Sequence, residues 1–186
     1  MTARQYKKSI ESGQVQLSKA QQFCYYGAVI FFISMPITVI IYHLILFINH
    51  DEQNYHIQEL LIVIIPIILA LVLYNIQKSR LKFLILNPGL GHEEIWLVIH
   101  KIREDFKWTT VEESDNIFIA KTFPSFLANT WGSQMTILLN DNEMYINSIS
   151  DPNNRPNIFA GPENKRKVQA VLDYLQEVKK DSKTSH

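Results

Sequence analysis

The sequence predicts a membrane protein: a two-helix transmembrane hairpin followed by a C-terminal α+β domain built as helix, four- or five-stranded antiparallel meander, helix. Three observations predict it. Residues 23–48 form a run of 26 without one Asp, Glu, Lys or Arg, and residues 60–76 form a second uncharged run of 17. The last 100 residues hold 25 of the 36 charges, so polar and apolar parts of the chain are segregated. Within the polar part, apolar residues at helical spacing bracket a series of short strand-like runs. The mean hydropathy of −0.03 averages over this division and by itself would describe an ordinary soluble domain.

Residues 1–22 carry Arg4, Lys7, Lys8 and Lys19. Tyr6, Ile10, Leu17 and Ala20 recur too irregularly for a strong amphipathic helix, and Gly13 weakens one further. The segment reads as a basic, surface-lying lead-in. A bilayer core of roughly 30 Å needs about 20 apolar helical residues. Residues 23–48 exceed this length, and the second helix reaches it if Ile57 and Gln58 lie at the interface. A cleaved signal peptide fits the first run poorly. Its apolar stretch is too long, 22 mostly polar residues precede it, and no small-residue cleavage site follows.

Seven Lys and Arg flank the runs on one side (Arg4, Lys7, Lys8, Lys19, Lys78, Arg80 and Lys82), while the connecting loop 49–56 has none and carries Asp51 and Glu52. The positive-inside rule then places both termini in the cytoplasm and the loop outside the cell (inner) membrane. Pro36 and Pro66 fall near the bilayer midplane, where each removes a backbone donor and bends its helix. They are expected to act as hinges or as the interface through which the hairpin self-associates. The absence of ionisable Asp, Glu, Lys or Arg inside either run argues against an ion pathway. Tyr25, Tyr26 and Tyr42 read as interface or packing residues, and Cys24 as a small apolar filler.

Residues 57–86 are read as the second transmembrane helix with a cytoplasmic extension, in which Lys78, Arg80 and Lys82 meet anionic lipid headgroups. Asn87-Pro88-Gly89 ends that helix and opens the domain of residues 87–186. There, Ile95, Ile99, Ile102 and Phe106 mark a helix over 93–106. Strands are expected at 108–112, 116–123, 134–139 and 143–149, with Asn140-Asp141-Asn142 as a hairpin turn and a short fifth strand at 157–160. Val168, Val171, Leu172, Leu175 and Val178 form the apolar stripe of a last helix over 165–180.

Several function classes are disfavoured. Equal numbers of cationic and acidic residues, 18 of each, argue against nucleic acid as the main partner. A single Cys rules out a disulfide scaffold and the usual thiolate zinc sites, and His92-Glu93-Glu94 lacks the second His of a zinc-protease helix. Ser133, in Trp131-Gly132-Ser133-Gln134, lacks the second Gly of a nucleophile elbow. Glu112, Glu113 and Asp115 read as a solvated turn. No cofactor, metal or enzyme is expected. Two features remain: the polar stretch 147–156, which contains Arg155, and Gly161-Pro-Glu-Asn-Lys-Arg-Lys167 opening the last helix. Cations are mildly unfavourable at a helix amino terminus, so three of them there make sense if an anion binds that end. Arg155, Asn164, Lys165 and Arg166 are therefore the expected anion site.

The stretch Trp131-Gly132, Met135-Thr-Ile, Tyr145-Ile-Asn-Ser-Ile, Asp151-Pro-Asn and Phe159 resembles small two-span bacterial membrane proteins of unassigned function. The likeness covers about half of the C-terminal domain and carries no site across. The layout also resembles membrane effectors of bacterial signalling systems. The expectation is a non-enzymatic membrane sensor or effector whose cytoplasmic domain binds a small anionic ligand, a nucleotide among the candidates. The alternative is an anchor or accessory subunit that docks a protein partner.

Overall fold

The computed structural model describes residues 1–49, 57–122, 132–154 and 160–184. The chain opens with helix α1, Ala3–Ser12. A capping box starts it: Thr2 Oγ1 accepts from the Gln5 N–H at 3.2 Å, and Gln5 Oε1 accepts from the Thr2 N–H at 2.8 Å. Gly13, at φ 63°, ends it in the left-handed conformation that other residues adopt only with strain. The expectation of a surface lead-in is therefore corrected. Gly13 terminates the helix instead of weakening it, and the chain beyond buries Val15 and Leu17.

Helix α2, Lys19–Tyr25, has its own capping box from Ser18 and Gln21. The backbone breaks at Tyr26, and the apolar helices α3, Gly27–Ile48, and α4, Ile57–Arg80, pack against one another. Both are long and apolar enough to cross a membrane, and most of their large apolar side chains are exposed instead of covered by protein. Pro36 and Pro66 are buried within the chain. They are thus turned inward, away from the faces a second copy could reach. The Ser34 and Thr38 hydroxyls donate to carbonyls of their own helix, Phe31 O and Ser34 O, at 2.7 and 2.9 Å. At the base of the hairpin, Tyr25 Oη donates to Gln77 O and Gln77 Nε2 donates to Tyr25 O, each at 3.0 Å.

Helix α4 stops at Arg80 instead of running on to residue 86. Leu81 and Phe83 turn into the protein, and Leu84–Leu86 forms strand β1. Lys82 forms an isolated antiparallel bridge with Gln14; around it the Val15 N–H donates to Leu81 O at 2.8 Å and the Phe83 N–H to Gly13 O at 2.9 Å. A turn at Asn87-Pro88-Gly89 follows, with Gly89 at φ 63° and its N–H donating to Asn87 Oδ1 at 2.9 Å. Helix α5 is His92–Asp105. Strands β2 (Thr109–Ser114), β3 (Ile117–Thr122), β4 (Ser133–Asn140) and β5 (Glu143–Ser150) lie close to the expected runs, and helix α6 (Gly161–Thr184) closes the fold.

The sheet is antiparallel throughout, in the order β1-β5-β4-β3-β2. Its fifth strand is β1, beside β5; residues 157–159 of the expected fifth strand lie outside the described residues. Alternation along the strands fills both faces. Met135, Ile137, Met144 and Ile146 meet Ile99 and Ile102 of α5 and Val171 and Leu175 of α6. Leu138, Tyr145 and Ile149 meet Val15, Leu17, Leu81 and Phe83, with Tyr6 and Ile10 packed alongside. The amino-terminal segment is thus the third layer of a helix–sheet–helix sandwich, held further by Tyr6 Oη donating to Leu139 O at 2.6 Å.

Candidate functional site

Strand β1 covers β5 only as far as Ile146. Beyond it, the last turn of α4 and the first turns of α6 face each other across Asn147 and Ser148, leaving a groove of about 900 Å³. Three cations line it: Arg80 at the end of α4, Lys82 just after it, and Lys165 on α6. None of the three has an acidic partner among the described residues. The Arg80 guanidinium lies against the first residue of α6 so closely that a Cβ at Gly161 would sit 2.9 Å from Nη2. It therefore stands at the positive end of the helix dipole, where the first N–H groups have no intrahelical acceptor. Like charges gathered at one point raise the energy of the empty groove, and a bound anion relieves them.

The floor is anchored by two side chains. Asn147, only 4% exposed, donates through Nδ2 to both Arg80 O and Lys82 O at 2.8 Å. This one amide satisfies Arg80 O, which the helix end leaves open, and Lys82 O just beyond it. Its Oδ1 is buried and has no hydrogen-bond partner. Ser148 Oγ donates to Asn164 Oδ1 at 3.3 Å, tying α6 to β5.

The expected anion residues separate. Asn164 and Lys165 line the groove, whereas Arg166 is exposed and turned away from it. Arg155 lies outside the described residues. Among the residues assigned to lipid headgroups, Arg80 and Lys82 line the same groove, while Lys78 sits over the Tyr74 ring, 5.7 Å from its centroid. The fold thus merges two residue sets that the sequence keeps apart. The sequence reading missed Gly161, Asn147 and Ser148 as site-builders. Asn147 falls within the expected strand 143–149, between Tyr145 and Ile149 on one face, but nothing local to it names the carbonyls that it meets. Strand β5 runs one residue past the expected end, to Ser150.

Lys167 takes a third direction. Successive helical residues are about 100° apart, so three consecutive cations fan out. Lys167 is buried, with Nζ 2.8 Å from Glu163 Oε1 and donating to Ser133 Oγ at 2.6 Å. Nearby, Lys121 Nζ pairs with Asp151 Oδ1 at 2.7 Å, and Asp151 also accepts from the Asn153 N–H and Asn154 Nδ2. The Ser133–Lys167 pair has the composition of a nucleophile and its base. The same Lys167 Nζ is also paired with Glu163. No protein-family model, curated protein or solved structure matches the chain.

Proposed function

We propose that the chain is a non-enzymatic integral membrane sensor or effector, and that the groove between α4 and α6 binds a phosphate-bearing anion. In this reading the apolar hairpin crosses the bilayer with both termini in the cytoplasm, and the groove lies at the inner surface. The observation that carries it is the convergence of Arg80, Lys82 and Lys165, without acidic partners among the described residues, on the amino-terminal end of α6. The position gives the site an output. Arg80 and Lys82 belong to the exit of α4, and Asn147 grips their carbonyls, so a ligand that engages Arg80 and Lys82 acts on the base of the hairpin. Self-association of the hairpin belongs to this proposal too, through exposed faces other than those holding Pro36 and Pro66.

Isothermal titration of the full chain in neutral micelles against nucleotides and phosphometabolites tests the reading. Saturable binding that Arg80→Gln removes supports it; failure of every phosphate-bearing compound removes it. Reporter fusions within loop 49–56 and at the carboxyl terminus test the topology, and an external signal from the second sinks it. The anchor reading has exposed Leu97, Phe106 and Val111 in its favour, but these are single apolar residues of the kind any surface carries.

A further inference from the structure

The anion reading leaves open which molecule brings the phosphate, and the rest of the groove wall bears on this. Beside the cations the groove is lined by apolar side chains: Ile76 and Leu84, with Ile146, Val168 and Leu172. Ile76 and Leu84 are 38% and 40% exposed, so the groove presents uncovered hydrocarbon beside unpaired charge. A soluble phosphate gains nothing from these side chains. The change from apolar to cationic also follows the axis of α4. Ile76 lies in the last apolar turn of the candidate span Leu60–Arg80, and Arg80 ends it. Four residues at 1.5 Å each put about 6 Å between them, the scale on which a phospholipid passes from acyl ester to phosphate.

Charge narrows the ligand further. Three cations and the positive end of α6 exceed what one phosphodiester, with a single negative charge, neutralises. A terminal phosphate carries about −1.5 to −2 at neutral pH. Resting on the anion reading above, we infer that the ligand is a lipid with a terminal phosphate or pyrophosphate. Its charged end lies among Arg80, Lys82 and Lys165, and its glycerol or first acyl carbons lie on Ile76 and Leu84. Asn147 lines the same groove, and its buried Oδ1 has no hydrogen-bond partner.

The test uses the full chain in nanodiscs of phosphatidylcholine doped with either phosphatidic acid or phosphatidylglycerol at equal charge, with retained lipid read by native mass spectrometry. Soluble glycerol 3-phosphate is titrated separately. The expected result is at least a tenfold preference for phosphatidic acid, lost in Arg80→Gln/Lys165→Gln and restored when Lys165 is replaced by Arg beside a native Arg80. Leu84→Asn should weaken lipid retention more than it weakens glycerol 3-phosphate binding. Equal retention of both lipids overturns the inference, because it marks a general surface attraction. Glycerol 3-phosphate binding that depends on Arg80 and Lys165, without lipid preference, overturns the lipid assignment and leaves the anion reading standing. Binding of neither removes both.

Discussion

Two cationic regions flank the first turns of α6 and differ in one respect. In the groove, Arg80, Lys82 and Lys165 have no acidic partner among the described residues. At the sheet end, Lys167 and Lys121 each have one, Glu163 and Asp151, at 2.8 and 2.7 Å. A buried cation with its acid and hydroxyls in place is a structural element, since removing it strands its partners. A cation held near others without an acid is free to meet an external charge. Neighbours in one run, Lys165 and Lys167, thus stand in opposite surroundings because a helix points them about 200° apart.

Several substitutions break or sharpen this contrast. Lys167→Met should have the largest effect, a loss of about 2 kcal/mol in a denaturant titration. That is below the range for a fully buried broken pair because Glu163 keeps contact with water. Asn147→Ala leaves two carbonyls at the exit of α4 short of a donor and should cost about 1–2 kcal/mol. Lys165→Ala and Arg166→Ala should both lie within about 0.5 kcal/mol of the native chain, as exposed charges do. If Lys165→Ala destabilises as much as Lys167→Met, the two regions are not distinct. Gly161→Ala separates binding from folding. Its Cβ displaces the flexible end of Arg80, so anion affinity should fall severalfold while the unliganded midpoint barely moves.

How legible all this was depended on how local each signal is. Strands β3 to β5 and helices α5 and α6 follow from alternation and from apolar stripes, which a short window contains. β1 did not: Leu81 to Leu86 is apolar and basic enough to continue a helix, and only the open edge of β5 makes it a strand. The amino-terminal layer was misread although a cue existed. β4 and β5 are apolar or small at most positions on both faces, which suits a sheet covered on both sides, so a second covering layer had to come from somewhere. The groove was half legible. Lys165 and Asn164 stood out as an odd helix start, but that Arg80 meets them is a tertiary fact, far apart in sequence.

The smallest effect concerns the attachment of that amino-terminal layer. Burial, and after it the charge of Asp141, pushes the Tyr6 phenol up from its ordinary value of 10.0. The neutral phenol donates to Leu139 O, so its contribution is fully present below about pH 10 and is lost as pH rises through the higher folded value. Urea midpoints at pH 9 and pH 11 should therefore fall more for the native chain than for Tyr6→Phe. An identical fall in both would remove Tyr6 as the cause.

The claim that unpaired cations make the groove a binding site has a direct test in the melting of the full chain in neutral detergent, with and without pyrophosphate. At 100 times its dissociation constant a ligand adds about 2.7 kcal/mol, a midpoint shift of about 5–10 °C for a chain of this size. The native protein should show that shift. Arg80→Gln/Lys165→Gln should lose it while melting, unliganded, within about 3 °C of the native midpoint. A native chain that pyrophosphate does not shift, or a double variant that it shifts equally, contradicts the account.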